Sequence, residues 1–253
     1  MSNTESMSDD DLLPPAIELA WGRRRRPARG PKPGLTLEQI VAAGIKVAIT
    51  EGIGALSMTR VAAELGVGTM SLYRYVTAKD ELLTLMVDSA LGSPPQAPRA
   101  EDWRAGLIRW AVGVRTAYQR HPWALRVPIS SPPLGPNNVA WLENALEALG
   151  PTPLSEQEKL STVLLVSGFV RNDVTMDFDL TAGAAAAGAA GGRVMPTYAR
   201  MLASLIEQGE FPALEDAIAS GALGDEDDPD SEFEFGLERI LDGVAALITA
   251  HEP

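Results

Sequence analysis

The chain has 253 residues, 45% of them apolar, which is ample for one large or two modest packed domains. It contains no cysteine, so disulfide frameworks and thiolate chemistry are excluded. Its 34 acids against 21 bases give a net charge of −13, a poor balance for binding a polyanion unless the positive charge is concentrated somewhere. It is concentrated. Residues 1–20 carry five acids and no base, and residues 80–253 carry 26 acids against 11 bases. Between them, residues 21–79 hold ten bases against Glu38, Glu51 and Glu64, a local charge of +7. No apolar run reaches the length of a membrane span, and the acidic, polar start has no apolar signal core, so a cytoplasmic protein with no membrane contact is expected.

In chain order, Met1–Asp11 is polar, Leu12–Trp21 (LLPPAIELAW) is an apolar island, and residues 1–34 together are expected to form a disordered extension. Within it Arg23, Arg24, Arg25 and Arg26, with Arg29 and Lys32, lie in a Pro- and Gly-containing stretch that cannot sustain a helix. The reading is a flexible basic arm able to enter a minor groove; a solvated tail is the alternative. Thr36 with Gln39 has the capping-box pattern and opens a helix to about Glu51, closed by Gly52. Ser57 caps a helix of three turns with Val61, Ala62 and Leu65 at helical spacing, and Gly66 stands where a left-handed closing residue belongs. A second periodic run starts at Thr69 with Leu72 and Val76 inward. Thr77 with Asp80 is the expected cap of the next helix, which continues to about Leu91. Gly92–Pro98 (GSPPQAP) then breaks the chain and is the expected domain boundary.

The Leu56–Val76 segment, LSMTRVAAELGVGTMSLYRYV, thus reads as two short helices around Gly66. So short a turn forces a steep crossing, and Ala62, Ala63 and Gly66 allow close approach, leaving the second helix free to enter a major groove. An ordinary core hairpin has the same spacing, but the coincidence of this motif with the basic segment favours DNA. Thr69, Met70, Ser71 and Tyr73 occupy the reading positions, flanked by Arg74 and Tyr75; packing is the alternative for both tyrosines. Ser57, Thr59, Arg60 and Lys79 sit at helix starts and turns suited to phosphate.

The run Thr36–Asp88 resembles the N-terminal domain of tetracycline-repressor-type (TetR) regulators. The resemblance is carried by EGIGALSM, LGVGTMSLYRYV and the Lys-Asp-Glu-Leu step that follows. It is strong over about 50 residues, weaker beyond and absent before about Leu35. It implies a one-component repressor that binds a palindromic double-stranded DNA operator as a homodimer and is released by a small-molecule effector. The expected fold is all-α: an N-terminal three-helix helix-turn-helix DNA-binding domain (35–92) plus a C-terminal helical ligand-binding and dimerisation domain (99–253).

Beyond the break, Trp103, Leu107, Trp110, Ala111, Val114 and Tyr118 share one face of a helix that ends before His121-Pro122. Shorter helices are predicted over Trp123–Val127 and Asn137–Leu149. Ser155 with Glu158 is a second capping box, opening a long helix. Thr181–Gly192 (TAGAAAAGAAGG) is read as a mobile connection. Helices over Pro196–Gln208, Pro212–Ala219 and Glu232–Ala250 complete the chain. The last has a wide apolar stripe of Phe235, Leu237, Ile240, Leu241, Val244, Leu247 and Ile248. In the resembled family this helix and its long predecessor form the dimer interface, so pairing through residues 156–176 and 232–250 is expected; an intrachain core helix is the alternative.

Candidate effector contacts are Trp103, Trp110, Trp123, Trp141, Phe169 and Met176, with Met195, as apolar walls, and Asn172 and Asp173, with Arg171, as orienting polar groups; ordinary core packing is the alternative for each. The effector is expected to be small and apolar or amphipathic. The two histidines, His121 and His251, sit in no nucleophile or metal motif, so no catalytic residue, metal or cofactor is expected. The resembled tetracycline repressors hold a magnesium-drug chelate with histidine and acid ligands, and this chain offers no comparable set. A helical small-molecule-binding protein without a gene-regulatory role is the rival reading.

Overall fold

The computed structural model describes residues 13–23, 35–96, 98, 101–129, 132–186, 194–206, 209–223 and 230–251. These residues contain helices and turns and no strand. The chain divides into two compact units, Met1–Val163 and Leu164–Pro253.

The first unit begins with α1 (Pro15–Ala20). This corrects the expectation of disorder at 15–20, because Ala16 and Ile17 are buried in the same core as α2 (Leu37–Glu51) and α5 (Lys79–Leu91); residues 1–12 and 24–34 lie outside the described set. The apolar island is a docking helix, and burial of its two core residues stabilises a piece too short to be helical alone. Helix α2 starts as its sequence predicts: the Thr36 hydroxyl accepts from Gln39 N at 3.2 Å and the Gln39 side chain accepts from Thr36 N at 2.9 Å. It crosses α5 at Gly44, where a Cβ would stand 2.7 Å from Met86 Sδ. Helix α5 differs from prediction at its start. Ala78 is the N-cap position, and Thr77 bonds Glu81 rather than Asp80, through both its N–H and its hydroxyl. Glu81 lies one turn in from Thr77, where its longer side chain reaches back to the unpaired N–H.

Helix α6 (Trp103–Arg120) and α7 (Pro136–Leu149) pack through an edge-to-face pair, Trp110 and Trp141, with ring centroids 6.2 Å apart. Gly106 and Gly113 permit the approach; a Cβ at either would lie 2.7 Å from Ala148 or the Trp141 ring. The Trp141 indole donates to Gly92 O at 2.8 Å, so the Gly92–Pro98 break is bridged within the compact unit. The predicted helix at Trp123–Val127 is a 3-10 turn, Pro122–Arg126.

Helix α8 (Glu156–Ala186) opens on the Ser155–Glu158 capping box and runs from the first unit into the second. It continues through residues 181–186, where a mobile connection was expected. An alanine-rich tail extends an existing helix without repeating the cost of nucleation. Residues 187–193 lie outside the described set. The second unit adds α9 (Val194–Leu205), α10 (Pro212–Ala219) and α11 (Ser231–His251). Phe169 of α8 stacks on Phe233 of α11 at 5.6 Å, its ring seated against Gly236, where a Cβ would meet it at 2.6 Å.

Candidate nucleic-acid interface

The turn of the helix-turn-helix is built by its glycine. Helix α3 (Met58–Glu64) is capped by the Ser57 hydroxyl, which accepts from Arg60 N at 3.1 Å. At its other end Gly66 has φ +67°, Val67 N donates to Ala62 O and Gly66 N to Ala63 O, which is a Schellman motif. Seven residues make about two turns, shorter than the three predicted, because that motif takes Leu65 as the C-cap. The regular part of the reading helix, α4 (Thr69–Leu72), is shorter still, and residues 73–75 continue as tight turns. Leu72 and Val76 are fully buried and anchor it to the core.

The outward side presents what the sequence predicts. Met70 is 77% and Tyr73 44% exposed, Arg74 and Lys79 are exposed, and Thr69 and Ser71 are half-buried beside them. Arg74 and Lys79 form no ion pair among the described residues. Ser57 and Thr59 are exposed at the start of α3. The tyrosines differ: Tyr75 is half-buried and its hydroxyl donates to Leu35 O at 2.7 Å. That bond fastens the chain leading into α2 to the end of the reading segment.

Arg60 is placed differently from the sequence expectation of a phosphate contact. Its guanidinium is held by Glu51 at 2.6 Å and Glu64 at 2.8 Å, and Lys46 reaches Glu64 at 2.5 Å. These acids raise the Arg60 pKa above its ordinary value, Glu51 contributing most. Hydrogen bonding, first from Lys46 and then from Arg60, lowers the Glu64 carboxyl below its usual range. A cation already paired with two carboxylates offers little to a phosphate, so the cluster braces α3 against α2. Sequence spacing places Glu64 at i+4 from Arg60 but gives no sign of Glu51 or Lys46, which the α2–α3 crossing brings in. Of the basic arm, Arg23 is exposed with its N–H on Glu18 O; Arg24, Arg25 and Arg26 lie outside the described residues.

Within the first unit the effector candidates do not gather in one place. Trp110 and Trp141 are core residues whose indoles donate to Trp141 O and Gly92 O. Trp123 joins the core of α1, α2 and α5 instead of a regulatory cavity, because the 3-10 turn packs on α5. Trp103 and Asp173 are half-buried, and Phe169 is fixed in its stack. Asn172 and Met176 are exposed, the amide bonding the thioether at 3.4 Å. A cavity of about 270 Å³ lies between α9 and α10, lined by Ala203, Ile206, Glu215, Ile218 and Ala219, none of them predicted. His121 caps the end of α6; burial, and secondarily Arg120, lower its pKa below 6.5. Among the described residues no group of three or more His, Cys, Asp and Glu could hold a metal, and no helix is long and apolar enough to cross a membrane.

Residues 40–86 match the family described as bacterial regulatory proteins, tetR family, and residues 94–248 match the tetracyclin repressor-like C-terminal domain. The chain is 37% identical over 248 residues to the HTH-type transcriptional repressor DrrR1 of Streptomyces coeruleorubidus, covering 97% of this chain and 90% of that one. It also resembles apo ActR of Streptomyces coelicolor, with a TM-score of 0.73 and 27% identity over 88% of this chain and all of that one. The crystal structure of ActR in complex with actinorhodin gives 0.68 and 29%, covering 84% and 97%. With its outward reading helix, its flanking basic segment and family matches over both parts, the chain belongs to the TetR family and is a ligand-responsive, DNA-binding transcriptional repressor.

Proposed function

We propose that the chain binds a palindromic operator as a homodimer, reading bases with Thr69, Met70, Ser71 and Tyr73 and holding phosphates with Arg74, Lys79, Ser57 and Thr59. The observation that carries this is the exposed Met70–Tyr73–Arg74 surface within the one positively charged stretch of an acidic chain. Met70 suits a thymine methyl, and the hydroxyls suit base edges. Arg23–Arg26, which precede this domain in the sequence, supply the basic arm.

The dimer forms through α8 and α11. Leu160, Leu164, Gly168, Asn172 and Met176 make one exposed row at i+4 steps on α8, and Leu164 is 75% exposed. On α11, Phe235, Gly243, Ala246 and Leu247 face outward while Phe233, Leu237, Leu241, Val244 and Ile248 face inward. Asn172 and Met176 then belong to the subunit interface more than to a pocket. A small apolar or amphipathic effector releases the DNA; ActR, captured with actinorhodin and with (S)-DNPA, supports a small-molecule effector for this chain.

The test is a gel shift with duplex DNA flanking the protein's own gene, at low salt and without effector. A specific complex at a palindrome supports the reading, and absence of any specific shift overturns operator binding there. Replacing Arg23–Arg26 by alanine weakens the complex and flattens its dependence on salt by about 0.9 in log-log slope for each phosphate no longer neutralised.

A further inference from the structure

Helix α5 carries two buried carboxylates seven residues apart, and therefore on one face: Glu81, 9% exposed, and Asp88, 4% exposed. Neither belongs to the DNA-reading surface. Asp88 meets the first turn of α7 with four bonds. Its Oδ1 accepts from the Asn138 N–H at 2.8 Å and side-chain amide at 2.7 Å; its Oδ2 accepts from the Asn137 side chain at 3.1 Å and N–H at 3.3 Å. A carboxylate on the free N–H groups of a helix start satisfies orphan donors and the helix dipole together. Gly135, the N-cap position of α7, touches the same carboxylate so closely that a Cβ there would lie 2.1 Å from Oδ1. Glu81 accepts from Ala16 N of α1 at 2.9 Å, and just beyond α1 the Trp21 indole donates to Leu134 O at 2.8 Å, in the loop that leads to Gly135. The end of α5, the start of α7 and α1 are thus tied in a closed ring.

We propose that Asp88 is a positioning residue for repression: through its clamp on the α7 N-terminus it fixes the DNA-binding helices relative to the regulatory helices, with α1 as a strap across the same joint. This rests on the operator-binding reading above. A carboxylate with no other role suits such a post, because it holds only while α7 presents its first-turn donors; a shift of that turn releases all four bonds at once.

Asp88→Asn keeps the shape but sets an amide NH2 against two asparagine donors and removes the charge. Gly135→Ala displaces the carboxylate from the α7 side. Each weakens operator binding about fivefold or more. Neither changes the salt dependence, since every phosphate keeps its cation. The double variant is no worse than the stronger single one, whereas either combined with Tyr73→Ala is additive. Additive losses between Asp88→Asn and Gly135→Ala, or unchanged affinity in folded variants, overturn the clamp. Hydrogen exchange on the full-length protein separates this from failure of the operator reading. If wild type finds no operator, faster exchange in residues 58–76 of both variants still upholds the clamp, and unchanged exchange there refutes it.

Discussion

Two exposed surfaces leave large apolar side chains in water, and their neighbours differ. Around Met70 and Tyr73 stand Thr69, Ser71, Arg74 and Lys79, with no carboxylate of their own helix among them. Beside Leu164 on α8 stand Leu160, Leu165 and Gly168, and the row that continues to Met176 shows no charge. The first surface offers hydroxyls, cations and one soft apolar contact, the chemistry of a base edge framed by phosphates. The second offers bulk next to glycine, the relief that a helix of a second copy can enter. In the proposed reading the same degree of exposure serves DNA on one surface and a second copy on the other, and polarity of the surround separates them.

The largest effect of a single change belongs to the second surface. Leu164→Glu places a charge in the α8 row; light scattering should then find a monomer, and operator affinity should fall about a hundredfold or more as the two half-sites lose their linkage. A dimer that survives would place the interface elsewhere. On the first surface Arg74→Ala should cost about tenfold in affinity and lower the salt slope by about one, while Arg60→Ala leaves that slope unchanged because Arg60 is held by Glu51 and Glu64. Equal slopes for the two would erase the distinction between reader and brace. Gly66→Ala forces a side chain to φ +67° and should lower stability by about 1–2 kcal/mol, read as a drop in the thermal midpoint.

The smallest effects are those of pH. The depressed pKa of His121 means that the unfolded chain takes up its proton first, so stability is complete at neutral pH and declines as pH falls below 6.5. Glu64 follows the carboxylate pattern: its stabilising contribution is present above pH 4.5 and is lost as pH falls further through its lowered value. Denaturant titrations should show His121→Gln removing the upper step and Glu64→Gln the lower one. A variant that leaves its step in place disproves that assignment.

Local signals were legible wherever a few neighbouring residues settle the matter. The boxes at Thr36 and Ser155, the left-handed glycine at 66 and the stops at Gly52 and Gly92 all stand where composition and spacing put them. So does the exposure of Met70 and Tyr73, because burial of Leu72 and Val76 at helical spacing leaves the other side facing out. The apolar island at 12–21 was visible as apolar but not as α1, since six residues cannot hold a helix without a core to dock on. The tryptophans were visible as large side chains, yet whether an indole lines a cavity or bonds a carbonyl depends on which helix lies opposite.

Sequence by itself determined most of the helical elements, the basic segment and the side of α4 that faces out, because hydrophobic period, caps and charge act over one or two turns. Only the tertiary structure decided that Arg60 is a brace, that Trp123 belongs to the core of the DNA-binding part and that Asp88 grips α7. The first and last join residues 9 and 50 positions apart, the Trp123 cluster reaches further, to Ala16, and distance through space between packed helices is not written in any local pattern.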